Sequence, residues 1–178
     1  TALTLSNQNE AVSPRPQPGL TEKEINELAR QQRLSDILTP LSSKEDLENP
    51  NSPQSKALAW LLGPMHTFMD PDRNITMLQH GVPAKQVIEE RYVMATLYYS
   101  LGGEEWTKQD YFLNAVPTRK WSSDLLQADE KGLITGIFLG ENNLQGVIPP
   151  EIQYLQRLQH FHIQENFVNG TVPVQMKQ

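Results

Sequence analysis

The residues with the most chemical potential in this chain of 178 are its four histidines: His66, His80, His160 and His162. His160 and His162 are two apart, and in an extended strand such residues project from the same face. Two neutral imidazoles so placed can hold a zinc or copper ion once a third ligand joins them. The chain has no cysteine, and no carboxylate stands at an evident spacing to complete the shell. No metal and no cofactor are therefore expected, and the pair reads as ligand contact or plain surface. Glu104-Glu105 and Asp70-Pro71-Asp72 are carboxylate pairs that could suggest acid–base work. Residues so close together on a loop diverge, however, and solvated surface is the simpler reading. No glycine-rich phosphate loop, nucleophile elbow or supported Ser-His-Asp spacing is present. No catalytic residue is assigned, and the chain is not expected to be an enzyme.

Composition narrows the partners. A formal net charge of −6 lacks the basic face that phosphate contacts need, so nucleic acid is excluded as an expected ligand. No apolar run approaches the ~18–20 residues of a membrane span, although the parent protein could be membrane-anchored. The absence of cysteine removes disulfides, thiolate catalysis and cysteine-ligated zinc together.

Several elements must position these residues. Residues 1–20 read as an extended arm, because Pro14, Pro16 and Pro18 alternate with polar side chains. Thr21 and Glu24 form a capping-box pattern that starts a helix carrying Ile25, Leu28, Leu34, Ile37 and Leu38, and Pro40 stops it. This helix is open to docking on a partner as well as on its own domain. Residues 41–51 read as a polar connector. Ser52 and Pro53 then start a second helix with Ala57, Leu58, Leu61 and Leu62 on its apolar face, ended by Gly63-Pro64. Pro83 opens the strongest helix, with a broad stripe of Val87, Ile88, Tyr92, Met94, Ala95, Tyr98, Tyr99 and Leu101. Lys85, Gln86, Glu89 and Glu90 are expected to face away from that stripe. Gly102-Gly103 closes it.

From Ile134 the sequence repeats. Ile134, Ile137, Leu139, Asn142, Leu144, Gly146, Ile148 and Pro149 recur 24 residues later as Leu158, Phe161, Ile163, Asn166, Val168, Gly170, Val172 and Pro173. Ile137 and Leu139 alternate in a short strand and point inward. Asn142 and Asn166 sit where a buried amide can bond the backbone as the chain turns. The intervening residues must point out: Phe138 on the first strand, then His160, His162 and Gln164 on the next, with Gln159 at the edge. That outward set holds aromatics and amides in place of lysine and glutamate, the composition of an interface core.

The run Asn142-Asn143-Leu144-Gln145-Gly146-Val147-Ile148-Pro149 resembles the plant-type leucine-rich repeat. Ser52-Pro53-Gln54, Lys56-Ala57-Leu58 and Trp60-Leu61, the helix around Tyr92, Gly102-Gly103-Glu104-Glu105-Trp106 and a second tryptophan, Trp121, resemble diatom-type leucine-rich-repeat cell-surface, receptor-like proteins. The resemblance covers about residues 34–177. It implies a membrane-associated glycoprotein on the extracellular side, with the lumen of an organelle as the alternative. It also implies a cysteine pair about the second tryptophan, which Thr118-Arg119-Lys120-Trp121 and Gln127-Ala128-Asp129 lack. Trp106, Tyr111, Phe112 and Trp121 would then close the cap by packing alone.

Together these readings predict an α+β chain: an arm at 1–20, a helix and connector at 21–50 and a helical N-terminal cap at 51–130. The start of a right-handed leucine-rich-repeat solenoid, about two repeats at 131–178, would follow. The expected function is protein–protein interaction, with a protein or peptide held through Phe138, Gln159, His160, His162 and Gln164. The alternative is a small structural subunit of a larger assembly, its unfinished apolar edge covered by a neighbour. Asn74-Ile75-Thr76 and Asn169-Gly170-Thr171 are candidate glycosylation sequons at Asn74 and Asn169.

Overall fold

The computed structural model describes residues 19–63, 82–109, 112–114, 120, 124–171 and 173. Residues 1–18 of the expected arm, His66, His80, Asp70, Asp72, Asn74, Tyr111 and Trp121 lie outside them. The described elements begin with α1 (Glu22–Leu38), α2 (Lys44–Glu48), α3 (Pro53–Leu62) and α4 (Ala84–Ser100). Five short strands follow: β1 (Leu126–Ala128), β2 (Ile134–Phe138), β3 (Gln145–Val147), β4 (His160–His162) and β5 (Phe167–Asn169). None of the described helices is long and apolar enough to cross a membrane.

The helix starts follow from their caps. The Glu24 N–H donates to the Thr21 hydroxyl at 3.3 Å, and the Thr21 N–H donates to the Glu24 carboxylate at 2.7 Å. That reciprocal pair satisfies two of the donors a helix leaves unbonded at its first turn. Ser52 accepts from the Ser55 N–H at 2.9 Å, and Pro53 takes the first position of α3. The segment expected to be a plain connector holds α2, because Ser43 caps it through the Asp46 N–H at 3.0 Å and Leu47 is buried. Leu34 and Leu38 are fully buried, so α1 docks on its own domain. Its Arg30 donates to the carbonyls of Leu61 and Leu62 at 2.8 and 2.9 Å, bringing a cation to the negative end of α3.

Helix α4 is the centre of the molecule. Every residue from Val87 to Leu97 except Glu89 is buried. α3 packs along it, and the 3-10 turn Pro150–Tyr154 also packs against it. Its C-terminal end is tied to β3: the Gln145 N–H donates to the Leu101 carbonyl at 3.0 Å, and the Ser100 hydroxyl donates to the Val147 carbonyl at 2.6 Å. This approach requires Gly146, with φ +120°, where a Cβ would lie 2.2 Å from the Ser100 carbonyl oxygen.

The expectation of a helical cap leading into a right-handed leucine-rich-repeat solenoid is not met. The described residues form an α+β domain of four helices with two small sheets, three-stranded β1-β2-β4 and two-stranded β3-β5. The 24-residue period appears in the pairing of β4 parallel to β2, with Gly136 opposite His160, whereas β5 lies parallel to β3 at a spacing of 22, with Gly146 opposite Val168 and not opposite Gly170. The period does not build a separate coil, for two reasons. β1 pairs antiparallel with β2 and closes one side of the first sheet, which makes that sheet mixed. α4 occupies the space behind the strands, so one apolar cluster runs from Leu34 to Leu155 with no boundary between cap and repeats.

Of the inward repeat positions, Ile137, Leu139 and Leu144 are fully buried, and Ile148 and Leu155 nearly so. Phe161, Ile163 and Val168 pack on the same cluster but stay half-buried, with no further strand beyond β4 and β5 among the described residues. Leu139→Ala is expected to cost about 2–5 kcal/mol through the cavity it leaves. Chemical denaturation reads this directly, and a variant as stable as the parent would contradict the shared core.

Candidate functional site

The outward face of the β1-β2-β4 sheet is the candidate site. The parallel register sets Phe138 opposite His162 and Gly136 opposite His160, so the three rings meet. The Phe138 ring lies 5.0 Å from His162, edge-on, and 6.3 Å from His160, stacked. The two imidazoles are themselves 6.3 Å apart. Both histidines, Gln159 and Gln164 are exposed, and Phe138 is half-buried. The structure thus brings the rings of Phe138, His160 and His162 together, while Gln164 lies against Gly140 and exposed Gln159 immediately precedes β4.

Glycines make that face flat. A Cβ on Gly136 would stand 2.6 Å from the Phe138 ring, and one on Gly140 would stand 2.3 Å from the Gln164 amide nitrogen. The missing side chains leave shallow seats, which the phenyl ring and the amide occupy. Phe138 is therefore laid down against the sheet instead of standing into solvent. No group of three or more histidine, cysteine, aspartate or glutamate side chains placed to hold a metal occurs among the described residues.

Two asparagines hold the strand ends in register. Asn142 is fully buried. Its Oδ1 accepts from the Lys108 N–H at 2.6 Å, and its Nδ2 donates to the Lys108 carbonyl at 3.1 Å. Asn166, half-buried, accepts from the N–H groups of Asn142 and Leu144 at 3.0 and 2.9 Å. Its Nδ2 donates to the carbonyls of Leu139, Ile163 and Gln164 at 2.7, 3.0 and 3.1 Å. Each amide thus bonds the backbone of the preceding layer, and Asn166 fixes the turn that presents Gln164.

Beneath the face lie polar groups that the sequence reading missed. Glu90, expected to face away from the apolar stripe, is buried and accepts from the Ile134 N–H at 2.7 Å where β2 begins. Burial, reinforced by Asp129 and opposed by that hydrogen bond and by Arg91, pushes its carboxyl up to about 8. Arg91 is buried beside it and held down to about 9 by the same desolvation. Its guanidinium donates to the Asn114 carbonyl at 2.7 Å and lies 5.0 Å over the Trp60 ring. A second cluster joins Ser42, Tyr92, Gln54 and Glu151. The Glu151 carboxylate accepts from Ser42 at 2.5 Å and Gln54 at 3.0 Å, and the Ser42 and Tyr92 hydroxyls share a hydrogen bond at 2.8 Å. Helical spacing carried a signal for Glu90, which sits three residues after Val87 and four before Met94, on the inward side. Nothing local in the sequence marks Glu151, whose partners are about a hundred residues away.

No family model, no curated protein and no solved structure matches this chain. The site is therefore read from its own geometry.

Two outcomes follow. Asn166→Ala and Asn166→Asp should each lower stability by about 1–3 kcal/mol. The alanine abandons both acceptor and donor bonds, and the aspartate sets a charge against three carbonyls. A denaturation midpoint equal to the parent's for either variant would refute the role of the amide. Glu90 has a folded pKa raised above its ordinary 4.5, so the stability tied to its protonated form is complete below about pH 4.5 and is lost as pH rises through about 8. Glu90→Gln keeps an acceptor for the Ile134 N–H without the charge. It should match the parent in acid and exceed it by on the order of 2–4 kcal/mol above the raised pKa. Equal pH–stability curves for the two proteins would show that the carboxyl is not buried as described.

Proposed function

We propose that this chain is a non-catalytic interaction module that holds a protein or peptide partner on the outward face of its three-stranded sheet. The observation that carries this reading is the contact of Phe138, His160 and His162 on an exposed face whose backbone is fixed by the asparagine bonds. A ring already laid against the sheet loses little freedom on binding, and aromatic anchors of this kind dominate the energetics of protein interfaces. Gln159 and Gln164 flank the rings and supply amide donors and acceptors at the rim. The net charge of −6 favours a protein partner over a nucleic acid.

A second reading rests on a different surface. Phe167 is 69% exposed and Val147 52% exposed, on paired strands of the other sheet. Phe161, Ile163 and Val168, in or next to β4 and β5, pack against the core yet are only half-buried. A small structural subunit whose open side is covered by a neighbour in a larger assembly would account for that distribution.

The two readings separate by mutation. A partner is first trapped by photo-crosslinking from a probe at position 138 and, separately, at position 167, in the native source. The triple variant Phe138→Ala, His160→Ala, His162→Ala is expected to keep the parental circular dichroism and lose that partner by about tenfold or more in Kd, which is ~1.4 kcal/mol or more. The double variant Phe167→Ser, Val147→Ser should leave it bound. A folded triple variant with parental affinity overturns the strand-face reading, and loss confined to the double variant supports the structural subunit.

A further inference from the structure

The two candidate sequons end differently, for only Asn169 lies within the described residues and only it precedes a glycine. Asn169-Gly170 is the one Asn-Gly pair in the chain. Asn169 is the last residue of β5, it is exposed, and Gly170 after it is exposed at φ +82°. A Cβ on Gly170 would meet only the Val147 methyls, at 3.5 and 3.9 Å. The Gly170 N–H takes part in none of the turn and loop hydrogen bonds of the described residues. Other asparagines are followed by amides that are already engaged. The Ser52 N–H after Asn51 donates to the Asn49 carbonyl at 3.0 Å, and the Phe167 N–H after Asn166 donates to the Leu144 carbonyl at 2.9 Å. The Leu144 N–H after Asn143 donates to Asn166 at 2.9 Å.

We infer that Asn169 is a site of spontaneous deamidation and isoaspartate formation, a covalent change built into the exposed edge of the second sheet. The Gly170 backbone nitrogen gives up its proton to solvent hydroxide and attacks the Asn169 side-chain carbonyl carbon, Cγ. A carbon–nitrogen bond forms, and a five-membered succinimide closes. The Cγ–Nδ2 bond breaks, and Nδ2 takes up a proton and departs as ammonia. Water then opens the ring at either carbonyl. Opening at the main-chain carbonyl carries the chain through Cγ and gives isoaspartate, and opening at Cγ gives aspartate. Water enters, ammonia leaves, and nothing is oxidised or reduced.

Glycine at the second position is what permits this. With no Cβ the backbone reaches conformations closed to other residues, and the attacking nitrogen is unshielded. The products alter the edge in two separable ways. Each gains a carboxylate with an ordinary pKa of about 3.9, one negative charge at neutral pH. Isoaspartate also adds a carbon to the backbone where Asn169 pairs with Val147, which breaks the two-residue alternation of β5. A sugar on Nδ2 and the loss of Nδ2 as ammonia exclude one another, so one side chain has two mutually exclusive fates.

The test uses the whole chain made in bacteria, which leaves Asn169 without sugar, held folded in mildly alkaline buffer. Peptide mapping by mass spectrometry should show a gain of one mass unit at position 169 before any other asparagine of the described residues. Isoaspartyl methyltransferase should label the same peptide. Gly170→Ala should slow the conversion by about tenfold or more, equivalent to ~1.4 kcal/mol or more in the barrier. Asn169→Gln, a substitution at an exposed side chain, should abolish the label and keep the fold should Gly170→Ala prove unstable. The inference is overturned if position 169 keeps its amide while other asparagines convert, if Gly170→Ala converts at the parental rate, or if the label persists in Asn169→Gln.

Discussion

Burial of α4 on every side is the constraint on which the rest of the structure depends. A helix in that position cannot leave its polar groups to water, and each one unpaired in an apolar setting costs several kcal/mol, roughly 2–7 depending on the reference. The neighbours of α4 are therefore placed where they can pair with it. Glu90 receives the first N–H of β2, Tyr92 meets Ser42 and through it Glu151, and Arg91 takes the Asn114 carbonyl. At the end of the helix, the Leu101 carbonyl accepts both the Gln145 N–H and the Trp106 indole at 3.0 and 2.9 Å. Tyr98, Trp106 and Phe112 then close that end, with ring centroids 5.1 to 5.8 Å apart. Apolar contact supplies most of the driving force, and these polar pairs decide where each element stops.

The strands owe their arrangement to a second constraint, the stacking of two successive layers. β4 follows β2 by 24 residues, so inward Ile137 stands beside Phe161, while β5 follows β3 by 22, so Gly146 stands beside Val168. Asn166 reaches back to the layer before it and Asn142 to Lys108, so the amides bond between layers where the strands have already ended. That continuity of bonding makes the outward face rigid. Among the described residues no strand pairs beyond β4 or β5, and there Phe161, Ile163 and Val168 are half-buried while Ile137, Leu139 and Leu144 are fully buried.

Local features of this chain were legible in the sequence where a single element determines them. The starts of α1 and α3 follow from Thr21, Glu24, Ser52 and Pro53, and the inward and outward sides of β2 and β4 follow from alternation. The outward sides of Phe138, His160 and His162 follow from the same alternation, whereas Gln159 shares the parity of Phe161 and is exposed nonetheless. The architecture was not. The pattern of Asn142, Leu144, Gly146 and Pro149 specifies how one layer meets the next, and it carries no information about what lies behind the strands. α4 fills that space, and its fit depends on partners distant in sequence, such as the Gln54 and Ser42 bonds to Glu151. Glu90 shows the same difficulty on a smaller scale. Its charge argues for solvent, its helical position argues for the core, and burial wins because the Ile134 N–H is waiting there.

The two exposed apolar surfaces differ in kind, and the difference bears on how each can be used. The face of Phe138, His160 and His162 lies over a fully bonded centre strand, β2, paired on both sides by β1 and β4. A partner settling there meets side chains and leaves the backbone undisturbed. The side bearing Phe167 belongs to a two-stranded sheet whose last strand, β5, has no neighbour beyond it among the described residues. Contact there engages a strand edge, where unpaired backbone groups stand ready to bond with any chain laid alongside. A side-chain face can discriminate among partners by shape and ring contacts, whereas a bare edge accepts almost any extended backbone. Under the proposed function, selective recognition would use the first surface, and permanent coverage in an assembly the second.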